Sequence, residues 1–158
     1  MYRIVIEFIG LFLTGILAGQ ELVVRYGVRV PLAALDDRSH IQFRQGLIRT
    51  LRVLVPAIFL PAFAAGIAVA ILAGTGTGAG FAFRWAGVLA LLSWFLVTLF
   101  GTVPINEGAL GWRPDAPPGN WKALVDRWER LNAVRTCAAV LAFAFFLTAV
   151  ALRTTGVA

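Results

Sequence analysis

Four long apolar stretches alternate with polar, arginine-rich stretches along the chain. The apolar stretches cover about 4–24, 53–73, 85–103 and 136–152, and a helix of about 20 residues crosses the hydrocarbon core of a bilayer. The pattern predicts an all-α integral membrane protein, a four-helix bundle that forms a single domain over residues 1–158. We interpret the first stretch as a retained span, because its flanking charges are too sparse for a secretory signal peptide.

Helix boundaries are marked by polar, glycine and proline residues. The second helix is predicted to begin before its span, at a cap provided by Asp37 or Ser39. Glycine-rich residues 74–80 predict a hairpin loop, and Pro104 is predicted to end the third span. A helix that begins at Trp121 should continue unbroken into the fourth span, as one long rod that extends beyond the bilayer on the cytoplasmic side.

The composition supports this interpretation. The chain is 59% hydrophobic and 14% charged, with a mean hydropathy of +0.83. A soluble domain is about 45–50% apolar and about 25% charged, so a soluble cytoplasmic enzyme is disfavoured. Disorder is disfavoured as well, since it requires low hydrophobicity. Cys137 is the single cysteine, so an intrachain disulfide is excluded. His40 is the single histidine, so a two-histidine metal site is excluded, and we expect no metal.

The distribution of basic residues predicts the topology. The net charge is +6, and eleven of the fourteen basic residues lie in the first and third loops or at their borders. Because basic loops stay on the cytoplasmic side, both termini should lie outside. We expect a multi-pass protein of the cell inner (plasma) membrane whose partner is the lipid bilayer, and no nucleic acid partner.

The first span carries two carboxylates and two closely spaced glycines. Glu7 is expected to be solvated at the outer interface, whereas Glu21 near the cytoplasmic end needs a partner or water. Glu21 is either half of a structural ion pair with an arginine or a functional acid or base. Gly15 and Gly19 form a small-xxx-small pattern, through which a homo-oligomer could assemble.

The third loop and the helix after it contain polar residues that a surface helix alone does not explain. Trp121 and Trp128 fit an amphipathic segment at the lipid headgroups. Asn132 and Arg135 lie on the same apolar stripe and enter the fourth span, so they should meet partners at similar depth. We predict a polar cluster at the cytoplasmic mouth of the bundle, formed by Glu21, Asn106, Asn132 and Arg135. His40 is either an additional proton acceptor or an ordinary surface or capping residue.

Several of these residues follow the order of a known signature. Pro104-Ile105-Asn106, followed by Trp121, Trp128, Asn132, Arg135 and Thr136, resembles the anthrone oxygenase-like family of small four-span membrane proteins. Most bacterial members of that family are classed as a domain of unknown function, and some fungal members oxidise an anthrone to an anthraquinone with oxygen. The resemblance extends over nearly the whole chain and is specific between Asn106 and Arg135.

The resemblance implies an oxidoreductase, an oxygenase acting on a lipophilic phenolic or quinoid compound. Such a substrate can reduce oxygen directly, so no cofactor is required. Arg135, Asn106 and Asn132 would hold the phenolate, and Glu21 or His40 would take the proton. Trp121 and Trp128 would complete the substrate-binding set. Many bacterial relatives have Trp-Asn-His where this chain has Leu-Asn-Ala at 131–133, so a base at that place would be missing here.

A non-catalytic alternative stays open. The same bundle could bind a small hydrophobic ligand, such as an aromatic compound, or a partner subunit without doing chemistry. A transporter is disfavoured because the four spans show no clear internal repeat. The polar cluster discriminates between the interpretations: it should line an enclosed cavity in a substrate site, and pair within closed packing in a structural role.

Overall fold

The fold is built almost entirely of helix. The computed structural model describes residues 2–72 and 78–154. Helix α1 (Tyr2–Leu22) continues through a π-helical segment (Val23–Val28) into α2 (Arg29–Ala33), and α3 (Asp37–Leu72) follows after a short turn. Helix α4 (Ala79–Val97) continues through a second π-helical segment (Thr98–Thr102) into α5 (Val103–Leu110), and α6 (Trp121–Thr154) is the last helix.

Four continuous helical stretches are long and apolar enough to cross a membrane. They are 2–33, 37–72, 79–110 and 121–153. Only 28–39% of the residues in their most apolar parts are buried within the protein, so most of those side chains face outward, as expected for a bundle surrounded by lipid. The predicted all-α, four-helix membrane fold is confirmed, including a rod that begins at Trp121.

The start of α3 differs from the prediction. The cap is Asp36, and neither Asp37 nor Ser39 provides it. The Ser39 backbone N–H donates to Asp36 Oδ1 at 3.0 Å, which satisfies one of the free donors of the first turn. Hydrogen bonds from the side chain and the backbone of Ser39 hold the pKa of the Asp36 carboxyl below its usual range.

Pro104 does not end the third helical stretch, so that prediction was wrong. The proline lies in the first turn of α5, directly after the π-helical segment. A proline is accommodated at this position because its missing N–H is one that the first turn leaves unpaired in any case. The wide turns of the π-helical segment therefore allow the chain to continue as helix to Leu110.

The core has a close-packed part in the membrane and a second part near the loops. In the first, the ring of Phe146 on α6 lies directly against two glycines of neighbouring helices. A Cβ at Gly66 would lie 2.9 Å from Phe146 Cζ, and a Cβ at Gly87 would lie 2.7 Å from Phe146 Cε1. Helices α3, α4 and α6 therefore converge around this ring, which leaves the opposite end of the bundle free to be wider.

The second part of the core joins the start of α3 to the end of α5. Its buried members include Ile41, Ala109 and Trp112. Gln45 Nε2 donates to the carbonyl oxygens of Ala109 and Trp112, both at 2.9 Å. One side chain thereby holds carbonyl groups at the end of α5 and in the turn after it, where the Ala109 carbonyl also accepts from the Trp112 backbone N–H at 3.2 Å.

Glu7 is not a solvated interface residue, contrary to expectation. Its side chain is buried and forms an ion pair with Arg153, and Arg3 lies 4.0 Å away. The pair joins α1 to the end of α6, because the two termini lie at the same end of the bundle. Of the two glycines in the small-xxx-small pattern of α1, Gly15 lies against Phe143 of the same chain, and Gly19 has open space beside it. Residues 74–77 of the predicted glycine-rich loop lie outside the described residues.

A polar cavity among the four helices

An ion pair at the centre of the bundle anchors the candidate site. Arg135 Nη2 donates to Glu21 Oε1 at 2.5 Å, and Trp94 Nε1 donates to the same oxygen at 3.1 Å. Glu21 and Arg135 are 0% and 7% exposed, so the pair is shielded from water. The Arg135 guanidinium also lies over the Trp94 ring, 4.6 Å from its centroid, a geometry that attracts a cation to the ring face.

The π-helical segment after α4 supplies a further contact to the arginine. Arg135 Nη1 donates to Thr102 Oγ1 at 3.4 Å, and Thr102 donates in turn to the Thr98 carbonyl at 3.2 Å. A π-helical segment shifts the residues after it around the helix axis and is frequent at functional sites. Here it turns Thr102 toward Arg135 in a membrane span that would otherwise present apolar side chains.

A cavity of about 410 Å³ lies beside this ion pair, at the end of the bundle that carries the α2–α3 and α5–α6 connections. All four helical stretches contribute to its wall. Phe59 forms its aromatic centre, stacked on Trp94 at 4.7 Å and on Phe95 at 5.4 Å between ring centroids. Pro56 and Leu60, also in the wall, are exposed on α3, so the cavity extends to the lipid-facing surface of the protein.

Three members of the polar cluster line this cavity: Asn106, Asn132 and Arg135. Glu21 is not in the wall and lies behind Arg135, where it holds the guanidinium. Asn106 Oδ1 and Arg135 Nε are buried and have no hydrogen-bond partner among the described residues. The structure therefore brings the cluster together, with an amide and a guanidinium that have unused hydrogen-bonding capacity.

The other predicted site residues divide between the wall and the second part of the core. Trp128 lines the cavity, and its indole nitrogen has no partner in the described part of the chain. His40 and Trp121 are absent from the wall. They contact each other edge to face at 5.2 Å between ring centroids, and Trp121 meets Trp112 at 6.3 Å. Both residues therefore belong to the packing that connects α3, α5 and α6.

Sequence reasoning missed several residues of the site. Phe59 and Trp94 lie in apolar spans where aromatic side chains are ordinary, although a tryptophan N–H in a span requires an acceptor and is a usable signal. Thr102 was missed because the π-helical segment alters the regular periodicity. Arg44 was counted only as a basic loop residue, yet it is 4% exposed and lines the cavity.

The cavity wall combines aromatic rings with polar side chains. Stacked rings provide flat apolar surface, and the guanidinium and amide groups provide hydrogen bonds in a shielded place. Residues 2–72 and 78–154 contain no group of three or more His, Cys, Asp or Glu side chains that could hold a metal ion.

Comparison with known proteins identifies a family. The family model described as Anthrone oxygenase matches residues 48–145, more than half of the chain. The matched range includes Phe59, Trp94, Asn106, Asn132 and Arg135, so it covers most of the cavity wall, whereas Glu21 lies outside it. The chain gave no match among curated proteins and none among solved structures.

Proposed function

The chain belongs to the anthrone oxygenase family, and on this premise we propose that it is a membrane oxygenase acting on a lipophilic phenolic or quinoid compound. The observation that carries the proposal is the cavity of about 410 Å³ that combines stacked aromatic rings with Arg135. Cavities of about 300–1,000 Å³ are typical for small organic ligands. Its extension to the lipid-facing surface of α3 suits a substrate that partitions into the bilayer.

The proposed chemistry uses the reactivity of the substrate. An anthrone loses a proton from its methylene carbon to give an anion whose charge lies largely on oxygen. Arg135 and Asn132 would donate hydrogen bonds to that oxygen, which stabilises the anion at the moment it forms. The anion transfers electrons to dioxygen and forms a carbon–oxygen bond, and loss of water leaves the second carbonyl. The sum is one anthrone and one dioxygen giving one anthraquinone and one water.

Glu21 is our assignment for the proton acceptor. It adjoins Arg135, and its Oε2 has no hydrogen-bond partner among the described residues. Glu21 and His40 are both absent from the cavity wall, but Glu21 is hydrogen-bonded directly to the wall residue Arg135, whereas His40 contacts Trp121, which is not in the wall either. From the basic loops we further propose that the cavity lies in the cytoplasmic half of the plasma membrane, with both termini outside.

The proposal is tested by turnover under labelled oxygen. Wild-type protein in phosphatidylcholine nanodiscs is supplied with anthrone and ¹⁸O₂, and anthraquinone carrying one ¹⁸O is followed by mass spectrometry. We expect formation well above the protein-free rate, and a fall of about 10²-fold or more in Arg135→Gln, as for loss of one donor to a reacting oxyanion. Arg49→Gln, an exposed arginine outside the wall, is the control and should match wild type. A wild-type rate equal to the protein-free rate would refute the oxygenase.

A second candidate is a protein that binds such a compound without reaction. It is favoured by the engagement of Glu21 Oε1 with two donors, Arg135 and Trp94, which is the arrangement of a structural ion pair. Binding of anthraquinone to the wild type, together with the absence of labelled product, would support this candidate. Association of two copies through the open face at Gly19 is compatible with either function.

A further inference from the structure

Arg44 is a buried cation in the cavity wall, and no carboxylate of the described residues forms an ion pair with it. Its side chain lines the cavity at 4% exposure, and its guanidinium lies 4.8 Å from the centroid of the Trp128 ring. Its Nε has no hydrogen-bond partner, and no carboxylate lies within 4.0 Å of it, in the described part of the chain. Shielding a guanidinium in this way is costly unless an anion compensates it.

The acidic residues nearby are engaged elsewhere. Glu129 forms an ion pair with Arg29 at 2.5 Å, and Glu21 is held by Arg135. The only other acidic residue among the described wall residues is Glu107, which is exposed. The wall therefore has a surplus of positive charge whose buried part includes Arg44.

Arg44 and Arg135 mark two separate polar positions in one cavity. Trp128, against which Arg44 lies, precedes Arg135 on α6 by almost two full turns of helix. The wall near Phe59 is apolar and aromatic. A ligand that fills the cavity would place its ring system beside Phe59 and a group at its far end beside Arg44.

We propose that Arg44 forms an anion-binding subsite, and that the cavity takes an amphiphile with an acidic group, carboxylate or phosphate, on a flat apolar body. A guanidinium binds such groups through paired hydrogen bonds. Arg44 lies outside the range matched by the family model, so the subsite is not implied by that match. The proposal rests on the proposed function only in using the same cavity, and it requires no oxygen chemistry.

The test compares a charged ligand with its neutral isostere. Binding of anthraquinone-2-carboxylate and of anthraquinone-2-carboxamide is measured without oxygen by quenching of tryptophan fluorescence, in phosphatidylcholine nanodiscs. The wild type should bind the carboxylate at least tenfold more tightly than the amide. Arg44→Gln should bind both equally, and Arg44→Lys should keep part of the preference. Arg49→Gln, on the exposed side of the same helix, should behave as wild type.

Two results would overturn the subsite: no preference for the carboxylate in the wild type, or an undiminished preference in Arg44→Gln. The comparison of carboxylate and carboxamide binding to the wild type is a valid test even if the variants fail to fold. The origin of the natural anion is distinguished by adding phosphatidylglycerol, an anionic lipid, to the nanodiscs. Arg44→Gln measures the general repulsion of the carboxylate by the charged bilayer. A larger loss of carboxylate binding in the wild type than in that variant identifies a lipid headgroup as the occupant, and an equal loss identifies a free amphiphile. Carboxylate preference without turnover of anthrone would support the subsite and refute only the oxygenase.

Discussion

Arg135 and Glu21 join the last helix to the first through a hydrogen bond of 2.5 Å between Nη2 and Oε1, and both side chains are buried. The pair has two roles that experiments can separate. It connects α6 to α1, and it presents the remaining side of the guanidinium to the cavity.

Removing one partner of this pair should destabilise the protein strongly. Arg135→Met leaves the Glu21 carboxylate without its counter-ion, and Glu21→Leu leaves Arg135 uncompensated. Each should lower the free energy of unfolding by about 3–5 kcal/mol, whereas the double variant should lose less than either. The free energies are measured by titration with sodium dodecyl sulfate in mixed micelles. Equal, additive losses would show that the two side chains do not stabilise each other.

The contact between Gly87 and Phe146 should limit substitution at that glycine. Gly87→Ala places a methyl group 2.7 Å from Phe146 Cε1, so the ring or the helices must shift. We expect a loss of about 1–3 kcal/mol, partly offset by about 1 kcal/mol of better helix propensity. Thermal unfolding in detergent gives the measurement.

Gly108→Ala is the control, because its Cβ position is within 4 Å of nothing beyond its chain neighbours and the backbone of its own helix. Adding Phe146→Leu to Gly87→Ala should restore part of the loss. An alanine at 87 as well tolerated as one at 108 would contradict the close approach of the helices.

The hydrogen bonds of Gln45 should stabilise the end of α5 and the turn that follows it. Gln45→Leu removes the donor to the Ala109 and Trp112 carbonyl oxygens and leaves both without that partner, at a cost of about 1–3 kcal/mol. Hydrogen exchange in residues 109–113 should become faster. Gln42→Leu, an exposed glutamine on the same helix, should leave exchange unchanged. Slow exchange in both variants would mean that the apolar contacts of Trp112 alone hold this segment.

Arg153 should matter more than sequence reasoning predicts. In the sequence, Arg153 is an isolated charge directly after the fourth apolar stretch, and this position alone would predict little effect of Arg153→Ala. Because Arg153 pairs with buried Glu7, its loss should instead lower the free energy of unfolding, measured by the same detergent titration, by more than an exposed ion pair contributes. Arg49→Ala, an exposed arginine, is the matched control. Equal stability of the two variants would show that Arg3 compensates Glu7 by itself.

Hydropathy and charge were sufficient to predict the fold, because each membrane span can be recognised from the local composition of the chain. The polar cluster was also predictable, because Asn132 and Arg135 on an apolar stripe require partners at the same depth. Three local features could not be predicted: the cap at Asp36, the continuation of the helix through Pro104, and the contact of Thr102 with Arg135. Each depends on local backbone geometry, including π-helical turns that change which side chains share a face. The burial of Arg44 depends on packing between helices, which periodicity within one helix does not contain.

The central claim, that the cavity beside Arg135 is a ligand site, is tested most directly by the compounds that the protein retains. Wild type and Asn132→Ala/Arg135→Ala are extracted in the same mild detergent, and mass spectrometry identifies the small molecules bound to each. Helical content, measured by circular dichroism, must match between the two. We predict an aromatic or quinoid compound that is present with the wild type and absent from the double variant. Lipid alone in both folded proteins would contradict the claim.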